Sequence, residues 1–249
     1  MNRKEALERF HVGFLRHLTA QAQSRLGSMA LKGGLNLRLY HTSPRLSENM
    51  ELDVWQIPSE ALRKWVEKVL GARQFLAELV ANGIHMTQFL VMEQTETIQR
   101  WKMKLTSAGE SVDTKIEFSR RSAALEGVEL TVPAPLVLAV HRLPPFFFPH
   151  YSAPVAIAQK IGALADRNIT QARDAFDLMI LGGAVAAPGV GGAFAVTAEK
   201  AAQALRNLES ISLEDFVGQV LPYLPEDLAK VYAMPDQWEA IVAQARAVV

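Results

Sequence analysis

The chain of 249 residues contains no cysteine. Disulfides, thiolate zinc sites and cysteine nucleophiles are therefore excluded. An excess of either charge is missing too, since 26 Lys and Arg stand against 26 Asp and Glu, a formal net charge of +0. Attraction of the whole molecule to a nucleic acid or a membrane surface is not expected, and contact with a polyanion would need a local basic patch. Long apolar runs are absent as well, because no stretch reaches the roughly 18 residues that a membrane-spanning helix needs. The nearest approach, Leu178 to Val196, is broken by Gly182, Gly183, Pro188, Gly189, Gly191 and Gly192. The amino-terminal Met-Asn-Arg-Lys-Glu-Ala-Leu-Glu-Arg is charged and reads as helix, not as a signal sequence. These absences predict a soluble, cytoplasmic protein that does not engage a membrane.

What is present is ordinary for a globular protein: 49% hydrophobic and 21% charged residues. The length suffices for a sizeable core, in one domain or a two-part fold. Leu7, Phe10, Phe14, Leu15, Leu18 and Ala22 recur at helical spacing, which predicts an amphipathic helix over residues 1–28. Met29-Ala-Leu-Lys reads as a short strand running into Gly33-Gly34, and Leu35, Leu37, Leu39 and Tyr40 as a following helix that Thr42-Ser43-Pro44 ends. From Met50 the period becomes two: Met50, Leu52 and Val54 point one way, Asn49, Glu51 and Asp53 the other. A helix is predicted over 59–82 with Ser59 as N-cap, then strands at 89–92, 98–105 and 114–119, the last two joined by a turn at Gly109. The Pro-rich stretch 133–154 marks a boundary, and helices follow at 154–167, 169–181, 197–208, 213–221, 226–232 and 236–249. The fold class is α/β (α+β): a mixed sheet flanked by helices, with a helical carboxy-terminal half. The domains are expected at 1–150 and 151–249.

Two features carry chemistry. Gly33 and Gly34 allow backbone N–H groups to come close to phosphate oxygens. Strand geometry aims Asn49, Glu51 and Asp53 to one side, and a neighbouring strand could add Glu117. Closely grouped carboxylates hold hard divalent cations through oxygen, as phosphoryl and nucleotidyl transfer requires. Each feature alone is common: Gly-Gly pairs are usually turns, and acidic strand faces are usually solvated.

Together, Lys32-Gly-Gly and Arg45-Leu-Ser-Glu-Asn-Met-Glu-Leu-Asp53 resemble the first motif of the AbiEii toxin family, nucleotidyltransferase-fold proteins often paired with an antitoxin. Thr114-Lys-Ile-Glu-Phe-Ser-Arg-Arg121 resembles the strand supplying a third acidic residue. Gln159-Lys-Ile-Gly-Ala-Leu-Ala-Asp-Arg167 and Ala172-Arg-Asp-Ala-Phe-Asp-Leu178 resemble the family's helical motifs, a Lys followed by Arg-Asp-x-x-Asp. The resemblance spans about residues 25–182. It implies a nucleotidyltransferase-like sheet completed by the helical half, and a Mg²⁺-dependent transfer of a nucleoside monophosphate from a nucleoside triphosphate to an RNA (such as tRNA) or protein acceptor. It also implies a toxin with an antitoxin partner. By the same resemblance Gly33, Gly34, Arg45 and Ser47 serve the phosphates, with Arg173 pairing or binding phosphate. Glu51, Asp53, Glu117, Lys160, Asp174 and Asp177 are the catalytic set. The metal is held by Asn49 and Glu51 or by Glu51 and Asp53. The family usually has Asp-x-Asp where this chain reads Asn49-x-Glu51, so a second reading stands beside the first: a catalytically lapsed member that binds a nucleotide or partner without turnover.

The remaining features have plainer readings. The six histidines lack metal-ligand spacing and are expected as surface or core residues. Gly189-Val-Gly-Gly192 lacks the Lys-Ser/Thr end of a phosphate loop and reads as a connector. Phe146-Phe-Phe148 reads as a packing plug between the two halves, with a partner-binding surface as the alternative. Lys102, Lys104, Lys115, Arg120 and Arg121 would form either a basic strand face beside the acidic site or solvated charges.

Overall fold

The computed structural model describes residues 2–120, 126–186 and 196–249, which form two compact units. One unit comprises Met1–Tyr40 and Leu46–Tyr151; the other comprises His41–Arg45 and Ser152–Val249.

The first unit opens with α1 (Arg3–Ala22), started by a capping box in which Asn2 accepts from the backbone of Lys4 and Glu5 while Glu5 reaches back to the Asn2 N–H. The helix expected to reach residue 28 stops at Ala22; Gln23 turns to φ 31°, and Gln23–Ser28 form a 3₁₀ turn. Ser24, Gly27 and Ser28 are weak helix formers, so this end has little to hold it. Then follow β1 (Met29–Lys32), α2 (Gly33–Tyr40), β2 (Met50–Val54), α3 (Ser59–Leu70) and α4 (Arg73–Ala81). The single helix expected over 59–82 is thus two, because the backbone turns extended at Ala72. Ser59 is the first helical residue, preceded by Pro58 at the N-cap position, and no side chain caps the helix there. The unit closes with β3 (Ile84–Gln94), β4 (Ile98–Ser107), β5 (Glu110–Ser119), β6 (Val128–Thr131), α5 (Pro135–Val140) and β7 (Phe148–Tyr151).

The seven strands form one mixed sheet in the order β3-β4-β5-β2-β1-β7-β6. The β2–β5 and β1–β7 pairs are parallel and the others antiparallel. One face carries Met50, Leu52, Trp101, Met103, Ile116 and Phe118 into a continuous core with Phe10, Phe14 and Leu15 of α1. The stretch read as a boundary holds α5 and β7, and β7 lies inside the sheet between β1 and β6. Phe146 and Phe148 belong to this unit's core, whereas Phe147 is exposed.

The second unit is helical: α6 (Ala153–Asp166), α7 (Ala172–Val185), α8 (Ala198–Glu209), α9 (Leu213–Gln219), a 3₁₀ turn at Leu221–Tyr223, α10 (Glu226–Tyr232) and α11 (Pro235–Val248). Its core includes Ile157, Ile161, Leu164, Phe176, Leu181 and Leu208. Phe216 stacks on Trp238 at 5.0 Å between ring centroids. Among the described residues no helix is long and apolar enough to cross a membrane. The Gly189–Gly192 connector and Arg121 lie outside the described residues.

Candidate active site

In the first unit the register across four strands sets Lys32, Glu51, Glu117 and Arg100 in one row, and Ala30, Asp53 and Ser119 in the next. Directly paired residues share a face, and this is the face opposite the core. Asp53 is buried there. Lys32 Nζ lies 2.5 Å from Asp53 Oδ1 and donates to Ser119 Oγ at 2.9 Å. The Tyr151 hydroxyl donates to Asp53 Oδ2 at 2.9 Å. Glu51 is half-buried and makes no hydrogen bond with a described residue. It is packed against Gly33, where an added Cβ would lie 2.8 Å from Glu51 Oε2, and Gly33 holds φ at +69°. The positive φ favours glycine there, and a Cβ would displace the end of the Glu51 side chain. Gly34 follows in the first turn of α2.

Glu117 is tied sideways: Arg100 donates to Glu117 Oε2 at 2.6 Å and to Glu93 Oε2 at 2.5 Å. Asn49 and Ser47 serve the backbone. Asn49 Oδ1 accepts from the Lys115 N–H at 3.1 Å, and the Ser47 hydroxyl donates to the Asn49 carbonyl at 2.9 Å. The entry to β2 is held further by Thr114, whose hydroxyl donates to the Glu48 carbonyl and lies 2.8 Å from His11 Nε2. His11 is completely buried, and burial pushes its pKa down to about 3. Lys102 on the same open face pairs with Asp113 at 2.7 Å, while Arg120 turns to Gln99 and the Ile57 carbonyl. The basic face is therefore partly neutralised.

The second unit holds a buried ionic cluster. Lys160 of α6 places Nζ 3.0 Å from Asp174 Oδ1 and 2.6 Å from Asp177 Oδ2. Asp174 and Asp177, one turn apart on α7, have no exposed surface. Arg45 grips Asp177 with a fork: Nε at 3.1 Å from Oδ1 and one terminal nitrogen at 3.0 Å from Oδ1 and 2.9 Å from Oδ2. Arg167 approaches Asp174 Oδ2 at 2.9 Å, as an ion pair without hydrogen-bond alignment. Burial would raise the Asp177 pKa, but Arg45 and Lys160 hold it below the usual carboxylate range. For Lys160, burial acts downward, and the charges of Asp177 and Asp174 outweigh it, so the ammonium is held above its ordinary value. Arg173, the expected partner, makes no hydrogen bond or ion pair with a described residue; Arg167 takes that place.

A family model described as "Nucleotidyl transferase AbiEii toxin, Type IV TA system" matches residues 14–244. The chain belongs to this family. Among curated proteins none matches it. Among solved structures it resembles JHP933 from Helicobacter pylori, with a TM-score of 0.63 at 18% identity, covering 100% of this chain and 90% of that one. It also resembles MenT4, a nucleotidyltransferase toxin from Mycobacterium tuberculosis H37Rv, with a TM-score of 0.56 at 20% identity, covering 98% of this chain and 83% of that one. At such identities these two likenesses speak for the fold, a mixed α/β architecture.

As an AbiEii family member the chain should be able to hold a divalent cation, and the residues can be tested for it. Among the described residues no cluster of three or more His, Cys, Asp or Glu could hold a metal. A magnesium ion, however, commonly takes only one or two carboxylates and completes its shell with water and substrate phosphates. Glu51 and Asp53 fit that requirement: both are hard oxygen donors on one strand face, beside a glycine that leaves room for the Glu51 carboxylate. Asn49 offers its oxygen to β5 instead. Lys32, Tyr151, Ser119, Arg100 and Arg167 were not singled out as site residues by sequence reasoning. Lys32 could have been, since it adjoins Gly33; Tyr151 carries no local signal.

Proposed function

We propose that this AbiEii family member is an active, Mg²⁺-dependent nucleotidyltransferase. It would transfer a nucleoside monophosphate from a nucleoside triphosphate to an RNA or protein acceptor in the cytoplasm, as a toxin restrained by an antitoxin. The observation that carries the reading is the Glu51–Asp53 pair beside Gly33 at the start of α2. A helix start presents backbone N–H groups without intrahelical partners, and its dipole favours anions. Gly33 and Gly34 would let triphosphate oxygens approach those groups. Glu51 and Asp53 would hold the cation, which supplies neutralisation of charge on the phosphoryl oxygens. The acceptor hydroxyl attacks the α-phosphorus and gives up its proton to water, a new P–O bond forms, the bond to the bridging oxygen breaks, and pyrophosphate leaves. In the helical unit Lys160 is kept protonated by Asp174 and Asp177, and Arg45 holds Asp177 in place. Glu117, bound by Arg100, supports the face electrostatically. The lapsed reading rests on Asn49, and the bond that Asn49 Oδ1 accepts from the Lys115 N–H supports a structural part for that residue.

The reading predicts that purified protein with Mg²⁺ transfers label from at least one of the four α-labelled nucleoside triphosphates to cellular RNA or protein. Glu51→Gln should lower the transfer rate by at least about 10²-fold, as expected when a charge-stabilising group is lost. No label with any nucleotide, from folded protein, would sink the proposal.

A further inference from the structure

We infer that Lys32 is a resident counter-ion of Asp53 that keeps the cation site closed until a triphosphate draws its ammonium away. The inference rests on the reaction proposed above. Both oxygens of Asp53 already have donors: Lys32 Nζ at 2.5 Å and the Tyr151 hydroxyl at 2.9 Å. Ser119 steadies the ammonium from the other side at 2.9 Å. Asp53 is buried, whereas the Lys32 side chain keeps 21% of its surface exposed. A dication approaching Oδ1 meets a positive charge already seated there, and the repulsion between the two weakens its binding. Cation binding by Glu51 and Asp53 alone is therefore opposed.

The position of Lys32 in the chain supplies the release. It is the last residue of β1, and Gly33 and Gly34 start α2 immediately after it. A phosphate received by those N–H groups arrives within reach of a flexible side chain one residue away. An ammonium is a compact point charge on a four-carbon stem, so it can exchange a carboxylate oxygen for a phosphate oxygen. That move frees Asp53 Oδ1 when the phosphates needed to complete the cation's shell are present. Lys32 is in this sense a positioning residue that makes cation binding depend on nucleotide.

The test is Mn²⁺ binding to the full chain, followed by the electron paramagnetic resonance of free Mn²⁺, with and without a mixture of the four α,β-imido nucleoside triphosphates, each sample read against a protein-free one with the same analogues. The wild type should bind Mn²⁺ weakly alone and at least about tenfold more tightly with the analogues, a coupling of ordinary size between two ligands. Lys32→Met should bind Mn²⁺ about tenfold more tightly than the wild type without nucleotide, and most of the coupling should vanish. Should Lys32→Met fail to fold, Lys32→Gln keeps a donor of similar reach without the charge. Equal nucleotide-free affinity in wild type and variant, or undiminished coupling, would overturn the role of Lys32. So would tight nucleotide-independent binding by the wild type, which needs no variant at all. Failure of the wild type to bind Mn²⁺ even with the analogues would remove the nucleotidyl-transfer reading and this inference together. A purely structural Lys32 would change thermal stability and leave the coupling untouched.

Discussion

Gly33 holds φ at +69°, and Glu51 Oε2 lies 2.8 Å from the position a Cβ would take. Left-handed backbone is unfavourable for a residue with a side chain by roughly 1–2 kcal/mol. The methyl group of an alanine would in addition push the Glu51 carboxylate out of its place. Gly33→Ala is therefore expected to lower urea stability by about 1–2 kcal/mol and to lower transfer by about 10²-fold, the usual consequence of a misplaced catalytic group. Unchanged turnover in the labelled-nucleotide assay would mean that Glu51 does not need its present position. The same stretch marks how far local spacing reaches. Alternation correctly sets Glu51 and Asp53 on one strand face, and it adds Asn49 only by assuming that the strand already runs there. The strand begins at Met50, and the Asn49 amide turns to the backbone of Lys115, 66 residues away. No local pattern carries that pairing.

The helices α6 and α7 are joined by charge as well as by apolar packing. Lys160 bridges Asp174 and Asp177, and Arg45 completes Asp177. Removing one member of a buried pair leaves an uncompensated charge and typically destabilises by about 3–5 kcal/mol, far beyond the roughly 0.3–0.5 kcal/mol of an exposed helical pair. Asp177→Ala should show the large loss, while Lys230→Ala, which breaks the exposed Glu226–Lys230 pair on α10, should show almost none. Trp238 is the single tryptophan between residues 152 and 249, so in a variant lacking the other three its fluorescence in urea reports the helical unit. Similar losses for both substitutions would contradict the buried-charge account. At this scale the helical half is legible, because α6, α7, α8 and α11 are long enough for their apolar residues to repeat over several turns, and α8 falls within one residue of its expected span of 197–208. The strands β6 and β7 are not, since each has only four residues and β7 contains Pro149. β7 is fixed by β1, far earlier in the chain, and β6 pairs only with β7 at the edge of the sheet.

The chain carries no formal net charge at pH 7, so overall repulsion is small near neutrality and particular buried groups contribute to its pH dependence. His11 is one of these, and it acts between weakly acidic and neutral pH. Its ordinary pKa lies near 6.5, and complete burial lowers it to about 3 in the folded protein. A base with a depressed folded pKa stays neutral while the unfolded chain takes up a proton. Stability is thus full above about pH 6.5 and declines as pH falls toward 3, because protons bind preferentially to the unfolded state. At about pH 5 the loss is on the order of 2 kcal/mol, one and a half pKa units at 1.36 kcal/mol each. Asp177 and Glu8, both held below the usual carboxylate range, act in the same direction only under stronger acid, below about pH 4. The weakly acidic limb is therefore assigned to His11. His11→Gln replaces the ring with an amide that can still donate toward Thr114 and does not titrate. Urea unfolding at about pH 7.5 and about pH 5 should give a loss near 2 kcal/mol for the wild type and less than half of that for the variant. Equal losses in the two proteins would show that the acid sensitivity arises elsewhere.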